Sequence, residues 1–412
     1  MTLLRDAAFR RYWAGQATST LGDAFAMIAI PLLVLEATGS VAAMGLVSAA
    51  AAAAQLVTGL ASGAIIDRYD RRRLMIACDL GRFVVFGALA LACWLRGPSL
   101  ALIYATAVVG SAMGTLFGVG YVTATAGLVE KSRLTEANGY LISSQAMTFV
   151  LGPLAAGALA SRWGAATAIG VDALSFLVSA WSLAGLRFGR SGPTSDGGPL
   201  EGLRFLMRHP MLRALSVALL AISLLASEAG LIDLLIYHVR HDLGRDSSSV
   251  GIMLGSAAVG SLVAAVSVTW LRRRFGFGFC FLGGTFLQGV ALLAAGRSPG
   301  FAPLVGFVIL WAYGLMLRSV VTQTLRQEIT PDAILGRVTA AFWTLALGAA
   351  PLGATAITAG AERWGTTRAL TASGVCMLAV VGLAAFTPAR RQRPERDARP
   401  PEPAGGEGPA AT

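Results

Sequence analysis

Charge is scarce in this sequence. Asp, Glu, Lys and Arg make up 13% of its 412 residues while 55% are hydrophobic, against roughly 25% charged in a soluble domain. That balance excludes a fold with water as its main solvent. Cysteine is sparse too: Cys78, Cys93, Cys280 and Cys376 lie in apolar stretches at no ligand-like spacing, so neither a disulfide framework nor a thiolate metal site is indicated. His209, His238 and His241 are the only histidines, and "HVRHD" lacks the further ligands a metal centre requires. No cofactor or metal is expected. A phosphate-binding G-x-x-x-x-G-K-[ST] loop, a paired-histidine zinc helix and a nucleophile elbow are all missing, which argues against an enzyme.

What the chain does have is long apolar runs. Crossing about 30 Å of hydrocarbon takes about twenty residues at a helical rise of about 1.5 Å, and twelve stretches qualify. They lie at 12–35, 41–66, 75–95, 100–128, 139–161, 165–187, 211–237, 249–271, 277–296, 301–323, 338–361 and 366–387. An all-α membrane protein of twelve transmembrane helices is expected. The first run is too long, and carries Asp23 too centrally, to be a cleaved signal peptide.

The net charge of +11 would suit nucleic acid only if the basic residues formed one patch. They do not. Of the 33 Lys and Arg, 24 fall in connections on the side of the N-terminus, 7 on the other, and Arg82 and Arg318 inside spans. By the positive-inside rule, both termini are then cytoplasmic in a plasma (inner) membrane, and the basicity is an orientation signal facing lipid headgroups rather than nucleic acid.

Between spans 6 and 7 a Gly/Pro/Ser-rich stretch precedes "LEGLRFLMRHP", which reads as a linker followed by an interfacial helix. The expected organisation is a six-helix bundle over 1–187, a cytoplasmic linker over 188–210, a second bundle over 211–387 and a disordered cytoplasmic tail over 388–412. The halves resemble each other at an offset of about 200 residues: "VTATAGLVEKSRL" from Val122 lies over "VTQTLRQEITPDAIL" from Val321, and "GPLAAGALASRWG" from Gly152 over "APLGATAITAGAERWG" from Ala350. Parallel six-helix repeats place a substrate site between halves that rock. Glycines at helical spacing, such as Gly110, Gly114 and Gly118 or Gly251 and Gly255, would let helix backbones approach closely.

The loop after span 2 reads "GAIIDRYDRRR". Gly63, Asp67, Arg68, Arg71 and Arg72 resemble the G-x-x-x-D-R-x-x-R-R signature of the major facilitator superfamily, in the matching loop. Further stretches resemble its multidrug, macrolide-efflux and enterobactin-exporter branch: "FRRYWAGQATSTLGDAFAMIAIPLLVLEATGS", "CDLGRF", "DALSFLVSA" and "LEGLRFLMRHP". Gly152, Pro153 and Gly157 give a partial form of that superfamily's antiporter motif in span 5, with Ala156 in place of one glycine. No basic residue stands in span 4, where drug exporters often carry an Arg.

The resemblance implies two pseudo-symmetric six-helix halves and a monomeric secondary transporter, a proton-coupled exporter of a small amphiphilic drug, metabolite or siderophore. Import of a nutrient or lipid is the alternative, and a non-transporting receptor a more distant one. The resemblance also implies a cytoplasmic gate in which Asp67 lies against the start of span 11, near Gly336 and Arg337, and the arginines Arg68, Arg71 and Arg72 complete the latch. From their spacing alone, Asp79 and Arg82 are expected as a structural or gate-associated pair.

Polar groups inside the spans are the candidate site. Asp23 sits about 16 Å into span 1, where inserting a carboxylate costs about 2.5 to 3.5 kcal/mol unless it meets a cavity or a partner. Gln16, Thr20, Asp23 and Met27 share one face of that helix, a stripe suited to lining a pathway. Leaving water favours the uncharged acid, so Asp23 is a candidate proton carrier. Asp79 and Arg82, three residues apart, are expected to pair. Arg318 is expected to snorkel toward the cytoplasm, Glu228 and Asp172 to lie nearer the outer surface as secondary cavity candidates, and Asp233 to sit in the outer mouth. Phe25, Phe117, Tyr121, Trp311 and Tyr313 offer an apolar cavity wall.

Overall fold

A computed structural model describes residues 3–130, 133–186, 200–331 and 334–392; the expected tail beyond 392 and the linker over 188–199 lie outside the described residues. Helices α1 (Ala7–Thr38), α2 (Val41–Arg68), α3 (Arg71–Arg96), α4 (Leu100–Leu128), α5 (Leu134–Trp163) and α6 (Ala165–Ala184) form the first set of spans. A short helix α7 (Leu200–Arg208) precedes α8 (Pro210–Leu225), α9 (Glu228–Tyr237), α10 (Ser247–Ala295), α11 (Phe301–Ile329), α12 (Leu335–Gly348), α13 (Ala350–Trp364) and α14 (Thr366–Ala384). Counting α8 with α9, α12 with α13, and α10 as two, the described residues contain twelve spans in two sets of six. This is the expected all-α membrane architecture.

Local chemistry sets several helix ends. Asp6, Ser40 and Asp70 each accept a backbone N–H of the first turn of α1, α2 and α3, satisfying donors the helix cannot. Asp70, the second acid of "GAIIDRYDRRR", is thus an N-cap, with its carboxylate 2.9 Å from the Arg73 amide. Arg72 of the same stretch reaches α6, where its Nη1 donates to the Leu186 carbonyl at 2.9 Å. There it meets the negative end of a helix dipole.

The expected boundary between the eighth and ninth spans falls within α10 at a kink at Gly276, whose φ of 85° and ψ of 179° fall in a region open only to glycine. Two expectations need correcting. The seventh and eleventh spans are each broken, at Ala226–Ser227 and at Ala349. The breaks meet, since Ser227 Oγ donates to the Ala350 carbonyl at 3.1 Å. Finally, the tail does not begin at 388: Pro388–Arg390 form a 3-10 turn, and the carbonyls of Arg391 and Gln392 accept the N–H groups of Gly278 (3.1 Å) and Phe277 (2.7 Å).

The two sets of spans are joined toward the face opposite the N-terminus, here called the far face. Glu362 of α13 accepts from Ser40 Oγ at 3.1 Å and from the Ala42 amide, and Ser161 of α5 donates to Asp246 at 3.1 Å. The backbones of α5 and α10 touch at Gly157 and Gly251, where a Cβ on Gly157 would stand 2.6 Å from the Gly251 Cα. That approach is why the glycine of the span 5 motif is needed. Gly152 packs on Ala24 of α1, and Pro153 stays within an unbroken α5. Gly110, Gly114 and Gly118 line a cavity, and Gly110 also makes room for the Phe86 ring of α3.

Candidate functional site

Between the two sets lies a chamber with two lobes of about 780 and 760 Å³. Ala52, Gln55, Thr115, Ala229 and Ile232 border both, so the lobes are contiguous. The contacts at the far face close the chamber on that side, and the second lobe extends toward the N-terminal face, where Leu60 of α2 lines it.

Gln16, Thr20, Asp23 and Met27 all line the first lobe, as their spacing on α1 requires. Asp23 forms an ion pair with Arg82 of α3, whose guanidinium also stacks 3.8 Å from the centroid of Phe176. The expected Asp79–Arg82 pair is therefore replaced by a pair between helices. Helical spacing allowed the first, but Arg82 turns toward the chamber, where Asp23 leaves nearly half its side chain exposed (46%) while Arg82 shows 10%.

Asp79 and Asp172 are fully buried behind this pair, each within electrostatic reach of Arg82 and Asp23. Asp172 accepts from Ser175 Oγ at 3.3 Å, and its other oxygen has no hydrogen-bond partner among the described residues; the Ser179 hydroxyl is the polar group beside Asp79. Gln16 donates to Ser179 of α6 at 3.1 Å, and Thr20 to its own helix at the Gln16 carbonyl. Three carboxylates thus surround one guanidinium. Asp172 is a buried member of this group rather than a wall residue near the surface.

The second lobe contains another pair across helices. Arg318 of α11 donates to Glu228 at 3.1 Å, with the arginine side chain 8% and the glutamate 53% exposed. Arg318 does not snorkel. The break before α9 brings Glu228 to a helix N-terminus, favourable for a carboxylate, inside the chamber rather than near the outer surface. Asp233, expected in the outer mouth, is buried and accepts from Ser48 of α2 at 2.6 Å, bridging the two sets. Phe117 and Tyr121 line the chamber; Phe25, Trp311 and Tyr313 pack elsewhere in the bundle.

The gate residues are only partly visible. The side chain of Asp67 and the surroundings of Gly63 and Gly336 lie outside the described residues. Arg68 is exposed, Arg71 interacts with its surroundings, and Arg337 pairs with Glu201 of the short helix α7. On the second-half loop "WLRRRFG", Arg272 pairs with Glu328.

Residues 1–404 match the family of transmembrane secretion effectors, a branch of the major facilitator superfamily. The chain belongs to that family. It is an integral membrane transporter and not an enzyme. The transporter is 25% identical over 84% of its length to the enterobactin exporter EntS of Citrobacter koseri, covering 84% of that protein. It is 29% identical over 45% of each chain to the macrolide efflux protein A of Streptococcus pyogenes. A bacterial homologue of the iron transporter ferroportin, in an inward-facing state, shares the fold with a TM-score of 0.69 at 21% identity, covering 94% of this chain and 100% of that one.

At the closed face of the transporter, Asp246 caps α10 and accepts from Ser248, Ser249 and Ser161. These donors hold its carboxyl well below the usual carboxylate range. A depressed value keeps the contact charged above the ordinary carboxylate titration and loses it only as pH falls through the depressed value. Accessibility of a probe cysteine near Ser161 should be the same at pH 7 and at pH about 4.5. Asp246→Ala should weaken the cap by about 1 kcal/mol and raise that accessibility at both values.

Proposed function

We propose that the protein is a proton-driven exporter of a small amphiphilic molecule, working by alternating access. Residues 1–187 and 211–387 are the units that tilt about the chamber. The basic connections put the N-terminal face in the cytoplasm of a bacterial inner membrane, so the state described above opens inward. The carrying observation is the Asp23–Arg82 pair at the chamber wall, backed by Asp79 and Asp172.

With all three acids ionised the group would carry two uncompensated negative charges away from water, at a cost of several kcal/mol for each. Protons offset that charge. A cation or a proton reaching Asp23 from the chamber exchanges with the rest of the group, which couples occupancy to protonation. The curated relatives named above are exporters, which supports the outward direction.

A drug and metabolite susceptibility panel in a deletion strain identifies the cargo, and flux of that compound in proteoliposomes tests the mechanism. Imposing a proton gradient acid on the side of the far face should drive export against it. Each 100 mV contributes about 2.3 kcal/mol per proton, and each pH unit about 1.4 kcal/mol. Flux indifferent to the gradient would remove proton coupling.

A further inference from the structure

We propose that the second lobe holds a subsite for an anionic group of the transported molecule, built by Arg318, Thr322 and Arg326 on one face of α11. The inference rests on the transport reading and adds the charge class of the cargo. These residues follow at i, i+4 and i+8, so they stand one above another over about 12 Å of helix. All three line the lobe, and each is at most 6% exposed.

Arg318 Nε, Thr322 Oγ1 and Arg326 Nε have no hydrogen-bond partner among the described residues. Arg318 has Glu228 for its charge. Arg326 has no carboxylate within salt-bridge distance among the described residues; its guanidinium rests 4.5 Å from the centroid of Phe342 and 5.6 Å from that of Trp343.

Those rings stabilise a cation but leave its hydrogen-bond donors unused, and a buried guanidinium without an anion is costly. Arginine does not escape by losing its proton. Among the described residues that line it, the lobe thus carries one uncompensated positive charge on a planar donor fork, which matches a carboxylate, phosphate or sulfonate. Apolar neighbours such as Ile222, Leu315 and Met316 line the same space and would cover the rest of an amphiphile. The first lobe presents the half-exposed Asp23 and has no such excess of positive charge.

The test uses the full chain in phosphatidylcholine nanodiscs and equilibrium dialysis against two probes of matched shape, 1-naphthalenesulfonate and 1-naphthyltrimethylammonium. The sulfonate should bind saturably, and Arg326→Gln should weaken it by about tenfold or more, the size of a lost charged hydrogen bond. Arg326→Lys should weaken it less, Thr322→Val by a few fold, and the ammonium probe should respond to none of them. Native-like elution and thermal midpoint certify each variant; if Arg326→Gln does not fold, the Lys and Val variants decide.

Sulfonate affinity equal in native and variant proteins, or no saturable binding, overturns the subsite. Displacement of the sulfonate by phosphatidylglycerol discs, lost with Arg326→Gln, assigns the position to a lipid headgroup and overturns it as a cargo site. Proton-driven flux that persists alongside a failed sulfonate test leaves the exporter reading standing, and the reverse leaves the subsite standing.

Discussion

Asp23→Asn is expected to bring pH-driven flux down to the level of protein-free vesicles while the protein still folds. Asparagine keeps the size and the hydrogen-bonding oxygen but cannot exchange a proton. Removing one partner of a buried ion pair ordinarily costs about 3–5 kcal/mol, because the other charge is stranded. Here Asp79 and Asp172 stand within electrostatic reach of Arg82 and can take over its neutralisation. The loss of stability should therefore be nearer ~1 kcal/mol, a few degrees in a thermal midpoint. Arg82→Gln should also stop flux, since no cation then holds a carboxylate charged at the chamber wall. Flux in Asp23→Asn equal to that of the native chain would take the residue out of the mechanism.

Gly157→Leu should trap the transporter with its far face open and abolish turnover. A Cβ at 157 would stand 2.6 Å from the Gly251 Cα and 2.7 Å from the Ser247 carbonyl oxygen. Both are backbone atoms that cannot rotate away. The substitution therefore opposes only the closed state, in which α5 and α10 touch. If the clash costs about 3 kcal/mol, the balance between the two states moves by about a hundredfold. A cysteine placed at Ser48, in a cysteine-free background, should become reactive to an impermeant maleimide added from the far face. Labelling and flux both unchanged would show that the contact is not part of the gate.

Much of the architecture was legible because it rests on length, composition and the distribution of basic residues, all local properties of the chain. Asp23 could be placed at mid-membrane by counting residues, and its stripe with Gln16 and Thr20 follows from the 3.6-residue period. Its partner could not. A pair within one helix, such as Asp79 and Arg82, has a sequence signature, whereas Asp23–Arg82 and Glu228–Arg318 depend on how separate helices are rotated. The same holds for Ser48 and Asp233. Of the two broken spans, the eleventh carries Pro351 as a signal. The seventh breaks between Ala226 and Ser227 with neither Gly nor Pro, and only a serine ahead of a glutamate in a run of apolar residues hinted at a new helix start. Arg326 carries no sequence signal of its own, because it lies where a basic residue near a helix end usually reaches solvent.

The fold-back at the end of the described chain bears on where the polypeptide can be cut or extended. Arg391 and Gln392 supply the acceptors for two amides just past the Gly276 kink, in a place that admits no side chain at 276 or 278. A deletion beginning at Pro388 would strip both acceptors and loosen the corner between the eighth and ninth spans. Purification tags and reporter fusions are better joined after Gln392, so that the corner keeps its cover.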